Sequence, residues 1–299
     1  MKNKRVVVFG GSGFLGSYVS DELTRRKYDV LIADLVESAH VNGNQRFVKC
    51  DIMNDTDILG ILEEADFVYN FAGLADLDDS IHQPKKTIEQ NVIGNINLLE
   101  AVLGQGHFLK RYVYASSAYA FSTKGSFYGI SKLASEKIIE EYSRRRDIPF
   151  TIIRYGSLYG ERADVHNGVY NMLKQAISTR TIHHKGDGEE VREYIHASDA
   201  AMLSVDVLED EKFINQHAVL TGVERMRQKD LLRMIQEVMN DDITVTYSEN
   251  ERVGHYEVTP YSYQPNTARK LVSNSFIDLG QGLVSCIKHI DDAFNDDND

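Results

Sequence analysis

The sequence predicts an α/β protein with a doubly wound parallel sheet. Short apolar runs rich in Val, Ile, Phe and Tyr alternate with segments whose apolar residues recur every three or four positions. That alternation of strand and helix patterns is typical of a parallel sheet covered by helices on both faces. A glycine-rich loop joins the first predicted strand to the first predicted helix, as such folds require. Strands are predicted at 6–9, 30–33, 47–48, 67–71, 112–114 and 150–153, with helices at 15–23, 58–62, 88–102 and 133–141.

The pattern changes after about Gly160. Longer helical patterns at 170–177, 200–208 and 229–238 are separated by short strands and polar loops. We therefore predict a sheet domain at residues 1–165 and a smaller mixed α/β lobe at 166–299, some segments of which pack back on the sheet domain.

The composition of the chain argues against several classes of binding partner. The chain has 299 residues, with 45 acidic and 33 basic side chains and a formal charge of −12. An acidic excess disfavours nucleic acid and anionic membranes as partners, and no apolar run approaches the roughly 20 residues that span a bilayer. Cys50 and Cys286 lack disulfide or metal-ligand spacing, so we expect no metal and a reducing, cytoplasmic location.

The glycine loop predicts a dinucleotide site. Gly10, Gly13 and Gly16 lie between a strand and a helix, where the helix N-terminus can hold a pyrophosphate. Asp34 ends the second strand, 24 residues after Gly10, and its carboxylate suits the ribose hydroxyls of NAD but would repel the 2′-phosphate of NADP. Asp51 with Ile52, after the third strand, could contact the adenine. Phe71, Ala72 and Gly73, after the fourth strand, would let the backbone pass close to the cofactor.

A phenol and an ammonium stand four residues apart on one predicted helix. Tyr128 and Lys132 therefore share a helical face, where the cation favours the ionised phenol and makes it a usable base. Ser117 ends the fifth strand, at the ligand-binding edge of the sheet, and could hold a substrate hydroxyl.

Taken in order, these motifs resemble the extended short-chain dehydrogenases/reductases of the nucleotide-sugar epimerase/dehydratase family. That resemblance implies a Rossmann-type NAD-binding domain followed by a substrate-binding lobe. It also implies Tyr128 as base, Ser117 as its partner at the substrate hydroxyl, and Lys132 on the nicotinamide ribose. The cofactor-contacting residues implied are Gly10, Gly13, Phe14, Leu15, Gly16, Asp34, Asp51, Ile52, Phe71, Ala72, Gly73, Asn91, Tyr128, Lys132 and Tyr155.

Substrate contacts follow from the same resemblance. Arg192 is expected to meet the nucleotide diphosphate, since one guanidinium can engage phosphate oxygens bidentately. Ser117 and Ser157 are the other expected substrate contacts, and Ser157 stands where the family commonly has a phosphate-binding Asn. His196 is interpreted as a structural residue that precedes a helix.

Two further departures from the family pattern bear on the reaction. Only residues 118–127 separate Ser117 from Tyr128, which predicts an unusually open pocket on that side. Ser117-Ala118-Tyr119 stands where dehydratases of the family carry Thr-Asp-Glu, so the acid and base needed for elimination are missing.

The favoured hypothesis is an NAD-dependent NDP-sugar 4-epimerase. An NDP-4-keto-sugar reductase and a non-catalytic dinucleotide sensor remain alternatives. The family resemblance also implies a homodimer packed through the helices around 88–103 and 131–142.

Overall fold

The computed structural model describes residues 3–105, 108–122, 124–248, 257, 269–271 and 275–296. Within them, eight strands form one sheet in the order β14-β11-β6-β5-β4-β1-β2-β3, and all seven neighbouring pairs are parallel. These strands are β1 (Arg5–Phe9), β2 (Asp29–Asp34), β3 (Gln45–Lys49), β4 (Phe67–Asn70), β5 (Arg111–Ser117), β6 (Phe150–Tyr155), β11 (Gln216–Leu220) and β14 (Arg269–Leu271). The predicted doubly wound parallel sheet is confirmed.

Helices cover both faces of this sheet. The helices are α1 (Phe14–Arg25), α2 (Asp55–Ile58), α3 (Leu77–His82), α4 (Pro84–Ile88), α5 (Gly94–Gly104), α6 (Ser126–Arg146), α7 (Gly168–Thr179), α8 (Ala197–Glu209), α9 (Gln228–Val238) and α10 (Leu279–Asp296). Successive residues of a strand point to opposite faces, so Val8 packs in the core with α1 and α8, whereas Val7 packs with α5 and α6. Burial on both faces explains why the strands read as continuous apolar runs.

A third apolar core belongs to the second half of the chain. It joins α7, α9 and α10 through side chains such as Leu173, Leu232 and Leu283. Short strands accompany these helices in two-stranded pairs, β7 with β10, β9 with β12, and β8 with β13. Those strands are β7 (Ser157–Tyr159), β8 (Thr181–Lys185), β9 (Val191–Arg192), β10 (Tyr194–His196), β12 (Met226–Arg227) and β13 (Thr244–Ser248).

Several segments beyond residue 165 lie in the sheet domain. Strands β11 and β14 extend the main sheet past β6, and α8 packs beside α1 on one of its faces. A division of the chain at residue 165 stays a prediction. In the described part of the chain, no helix combines the length and apolar character that crossing a membrane requires.

Two helical segments differ from the sequence-based expectation. The helix expected at 58–62 ends at Ile58, and turns follow in which Gly60 has φ +86° and Glu64 has φ +59°. Left-handed conformations of this kind end a helix. The helix expected at 88–102 contains a π-helical turn at Glu89–Ile93, between α4 and α5. Apolar periodicity alone does not reveal such a turn.

Candidate active site

The sheet order reverses between β1 and β4, and the loops that follow these two strands meet there. Gly10 has φ +75°, and a Cβ on it would lie 2.5 Å from the amide nitrogen of Ala72. A Cβ on Gly16 would lie 2.1 Å from the carbonyl oxygen of Gly10. Any other residue at either position would push the loop out of place. Ligands of such folds bind in the crevice beside this reversal.

The loop exposes the N-terminus of α1. Gly13 is the N-cap and contributes no side-chain hydrogen bond, and the first turn holds no acidic residue. The amides of that turn, together with the positive end of the helix dipole, suit an anion. These residues fit a dinucleotide pyrophosphate.

Asp34 ends β2 and is tied to the glycine loop. Its two carboxylate oxygens accept hydrogen bonds from the backbone N–H groups of Ser12 (2.9 Å) and Leu35 (2.7 Å). The side chains of Leu35 and Val36 are exposed beside it. A carboxylate next to an apolar surface fits an unphosphorylated ribose and its adenine.

Asn91 lies behind the loop that follows β4. Gly73 has φ +136°, and a Cβ on it would lie 2.3 Å from Asn91 Oδ1. That oxygen accepts from the backbone N–H of Leu74 (2.7 Å), and the amide nitrogen donates to the Leu74 carbonyl (2.9 Å) and to Ser131 Oγ (2.9 Å). The buried Asn91 side chain therefore connects the loop after β4 to α6 by hydrogen bonds. Its direct contact with a cofactor stays a prediction.

Asp51 and Ile52 follow β3. Asp51 Oδ1 accepts from the backbone N–H of Met53 (2.9 Å), and Ile52 is buried against Gly94 at the start of α5. Both shape the turn beside β2 and β3, and an adenine contact remains a prediction.

Tyr128 lies in the first turn of α6, close to the end of β5. Its ring meets that of Tyr119 edge-on, with the centroids 6.2 Å apart. A Cβ on Gly125 or on Gly129 would lie 2.6 Å from the Tyr119 carbonyl oxygen. Two glycines four residues apart therefore let α6 lie directly on the backbone after Ser117, which explains how so short a connection can place Tyr128 near that serine.

Lys132 is buried beneath the cleft. Its Nζ donates to the Ala115 carbonyl (2.9 Å) and lies 4.9 Å from the centre of the Tyr114 ring and 5.8 Å from that of Tyr128. Burial lowers the pKa of this ammonium from 10.5 to about 8, although the nearby carboxylate of Glu136 opposes the shift. The ammonium therefore lies near both the end of β5 and the Tyr128 ring, and its action on the phenol stays a prediction.

A cleft of about 570 Å³ brings most of the predicted residues together. Those that line it are Gly10, Gly13, Phe14, Leu15, Gly16, Phe71, Gly73, Ser117, Tyr128, Lys132 and Tyr155. The Tyr155 hydroxyl is hydrogen-bonded to Ser204 Oγ (2.7 Å). Ser117 Oγ accepts from the Tyr119 backbone N–H at 3.2 Å and retains the capacity to donate.

A second cleft of about 260 Å³ adjoins the first. It shares Ser117, Tyr128 and Tyr155 with the larger cleft, and Ser157 and Arg192 line it as well. Arg192 is buried, and its guanidinium donates to the Val191 carbonyl (3.0 Å). Ser117, Tyr128 and Tyr155 therefore line both clefts. The predicted cofactor residues that line neither cleft are Asp34, Asp51, Ile52, Ala72 and Asn91.

Some lining residues were not anticipated from the sequence. Asp76 and Asp79, from the start of α3, face the larger cleft together with Asp164 and His166, from the connection before α7. The two aspartates follow β4 and so could have been found at the carboxyl edge of the sheet. His166 carried no such signal, because its position depends on a tertiary contact between its loop and α3.

The fold, the glycine loop and the Tyr-Lys pair define a dinucleotide-dependent enzyme class, and sequence comparison identifies the family. The profile of the NAD dependent epimerase/dehydratase family matches residues 6–220. The chain belongs to this family, and its cofactor is NAD, as predicted.

The individual proteins that the chain resembles share less than 30% of its residues. A UDP-glucose 4-epimerase from Lactobacillus helveticus is 29% identical over 229 residues, which cover 65% of this chain and 69% of that protein. A UDP-N-acetyl-alpha-D-glucosaminuronate decarboxylase from Bacillus cytotoxicus is 25% identical and covers 89% of this chain and 88% of its own length. The crystal structure of UDP-glucuronic acid 4-epimerase from Bacillus cereus, in complex with UDP-glucuronic acid and NAD, superposes with a TM-score of 0.85 at 22% identity, over 97% of this chain and 99% of that one.

Proposed function

We propose that the protein is an NAD-dependent UDP-sugar 4-epimerase that works by transient oxidation at C4 of the sugar. The observation that carries this proposal is the meeting of Ser117, Tyr128 and Lys132 with the glycine loop in one cleft. Epimerase and decarboxylase relatives both act on UDP-sugars by name, which supports UDP as the nucleotide.

Different residues of the site would bind different parts of NAD. The N-terminus of α1 would hold the pyrophosphate of NAD, and Asp34 would accept hydrogen bonds from the adenosine ribose. Lys132 would donate to the nicotinamide ribose. When bound, NAD would supply the acceptor for the hydride from C4 and would return that hydride within the same cycle.

Tyr128 is proposed as the base. Its phenolate would take the proton of the C4 hydroxyl as the C–H bond breaks, and its phenol would return that proton when C4 is reduced on the opposite face. The Lys132 ammonium favours the phenolate by charge. Ser117 Oγ would donate to the C4 oxygen, while Arg192 would hold the diphosphate so that the sugar can turn over between the two half-reactions.

A product assay tests the proposal. Purified protein is incubated with UDP-, GDP-, CDP- and dTDP-sugars at NAD concentrations far below substrate, followed by mass-resolved chromatography. We expect an isobaric product with a new retention time from a UDP-sugar, and a Tyr128→Phe variant that forms at least about 1,000-fold less of it.

Other products would contradict epimerisation. Loss of carbon dioxide from a UDP-uronic acid would indicate a decarboxylase, and loss of water a dehydratase. Turnover only with a 4-keto sugar and stoichiometric reduced cofactor would indicate a reductase. Full cellular function of Tyr128→Phe would favour a dinucleotide sensor.

The homodimer is also proposed. Phe127, Ile130 and Leu133 of α6 are exposed together with Ile93 before α5, so the two helices expected at the interface both present apolar side chains to solvent. Their burial against a second copy would remove this surface from water.

A further inference from the structure

The smaller cleft contains a buried glutamine that has no part in the proposed chemistry. Gln228 is the first residue of α9, and it lines this cleft together with Met172, Arg192 and Tyr194. It is 6% exposed. Because the polar atoms of buried side chains normally have hydrogen-bond partners, the partners of this amide indicate what it does.

Tyr194 fixes the orientation of the Gln228 amide. The Tyr194 hydroxyl donates to Gln228 Oε1 (2.6 Å), and Gln228 Nε2 donates to Met172 Sδ (3.2 Å). Turning the amide over would bring its oxygen against the Met172 sulfur, and both of these atoms are acceptors. The orientation with Nε2 toward Met172 is therefore the favoured one.

The amide nitrogen is poorly satisfied in this orientation. It carries two N–H groups, and among the described residues its only acceptor is Met172 Sδ. A thioether sulfur is a weak acceptor, and a buried donor that lacks a good acceptor destabilises the fold. Such a donor on the wall of a cleft is explained if a bound ligand supplies an oxygen acceptor.

The charge of the cleft favours an anionic acceptor. Arg192 carries the one permanent charge among the described residues that line this cleft, and no aspartate or glutamate is among them. Arg192 pairs with Met226 between β9 and β12, and Gln228 directly follows β12. The guanidinium and the amide therefore come from two paired strands and line one space.

We propose that Gln228 is a second ligand of the substrate diphosphate, that its Nε2 donates to a phosphate oxygen beside Arg192, and that Tyr194 positions the amide for this contact. The ligand class is a nucleoside diphosphate. This inference rests on the proposed function, in which Arg192 holds the diphosphate, and it adds a binding residue to the same site. A phosphate oxygen would replace the sulfur as acceptor, and hydrogen bonds to charged acceptors are about twice as strong as neutral ones.

Calorimetric titration of UDP into the NAD-saturated protein tests the binding role. Saturation with NAD keeps UDP out of the cofactor site. We expect Gln228→Met to weaken UDP binding by about 10-fold, because it removes a hydrogen bond to a charged group. Gln228→Glu keeps the acceptor for Tyr194 but replaces the amino group with an anionic oxygen, so it should weaken binding by about 100-fold.

Gln236→Met is the matched control. Gln236 lies on the same helix, donates to the Ile243 carbonyl, and lines neither cleft. Its substitution should leave the affinity for UDP unchanged. Equal losses in Gln228→Met and Gln236→Met would overturn the proposal, and so would wild-type affinity in Gln228→Met.

A double-mutant cycle tests the positioning role of Tyr194. Tyr194→Phe keeps the ring and removes the hydroxyl that holds the amide, so it should weaken UDP binding by about 3-fold in the wild type. In the Gln228→Met background the same change should have no further effect. Additive losses would show that Tyr194 acts independently of Gln228 and would overturn its positioning role.

NMR of bound UDP identifies the acceptor. Gln228→Met should move a phosphorus resonance of UDP in the bound state and leave the uracil proton resonances in place. Movement of uracil or ribose resonances alone would assign the donor to the nucleoside and overturn the phosphate contact, while the epimerase proposal would stand.

Binding and turnover separate the two proposals. If UDP binds but no UDP-sugar is turned over, the proposed function fails, and the titrations still decide the role of Gln228. If the wild type binds none of UDP, GDP, CDP and dTDP, both proposals are overturned.

Discussion

Glu136 and Arg154 form a bidentate ion pair that is sealed from solvent. The guanidinium Nη2 and Nε lie 2.6 Å and 2.9 Å from the two carboxylate oxygens, and the two side chains are 0% and 3% exposed. Ser116 Oγ donates to the same carboxylate, and the Phe121 ring lies 3.8 Å from the guanidinium carbon. The pair joins α6 to β6, and Ser116 connects it to the end of β5, where Ser117 is the next residue.

Breaking this pair is expected to destabilise the protein strongly. Glu136→Gln leaves a buried guanidinium without its counter-charge, so the free energy of unfolding should fall by about 3 kcal/mol or more. Chemical denaturation of the purified variant measures this loss. Glu141→Gln, on the exposed side of the same helix, is the control and should show no measurable change. An equal response of the two variants would contradict the assigned role of the buried pair.

Removing the buried lysine should stabilise the cofactor-free protein while abolishing activity. Burial lowers the pKa of Lys132 to about 8 in the folded state. At pH 7 the lysine is therefore still charged, and the buried charge destabilises the folded protein. A pKa shift from 10.5 to about 8 means that the buried charge lowers the free energy of unfolding by about 3 kcal/mol. Removing the lysine relieves this destabilisation, but it also removes the hydrogen bond to the Ala115 carbonyl, which contributes about 1 kcal/mol of stability. We therefore expect Lys132→Met to raise the free energy of unfolding by about 2 kcal/mol at pH 7.

The difference in free energy of unfolding between Lys132→Met and the wild type should also depend on pH. Between about pH 8 and pH 10.5 the folded lysine has lost its proton while the unfolded lysine retains it, so wild-type stability rises with pH in this window. The advantage of Lys132→Met should therefore shrink from pH 7 to pH 10. Lys137→Met, at an exposed position of the same helix, should show no such trend. A constant difference across this range would refute the lowered pKa.

The contact between α6 and the Tyr119 carbonyl should control the position of the base. Gly129→Ala places a methyl group 2.6 Å from that oxygen, so the helix must shift, and Tyr128 with it. Because small misplacements of a catalytic group can cost about 100-fold in rate, we expect kcat to fall by about 10- to 100-fold. Gly104→Ala, whose methyl group meets open space, serves as control. Unchanged kcat in Gly129→Ala would show that Tyr128 is positioned by other contacts.

Charge on the exposed face of α6 should prevent dimerisation. Ile130 is 60% exposed on that face, and Ile130→Asp would place a carboxylate in the proposed interface. Sedimentation velocity at micromolar concentration should show a dimer for the wild type and a monomer for the variant. A monomeric wild type would remove the basis for the proposed dimer.

Local sequence signals were sufficient for the sheet and for much of the site. Apolar runs identified β1 and β4, and glycines with no room for a Cβ marked the loop beside them, because both depend on neighbouring residues in the chain. The meeting of Asp76 and Asp79 with His166 in the larger cleft depends instead on packing between α3 and the loop that carries His166, 90 residues after Asp76. Asn91, in the π-helical turn, likewise makes tertiary hydrogen bonds to Leu74 and Ser131, which neighbouring residues in the sequence do not reveal.

The strand order constrains how the molecule can be dissected. A fragment that stopped at residue 165 would lack β11, and β6 would become an unprotected sheet edge composed of Phe-Thr-Ile-Ile-Arg-Tyr. It would also lack α8, which covers one face of the sheet beside α1. Long apolar edges template aggregation. We therefore expect the fragment 1–165 not to fold by itself, and its expression alone should yield insoluble protein.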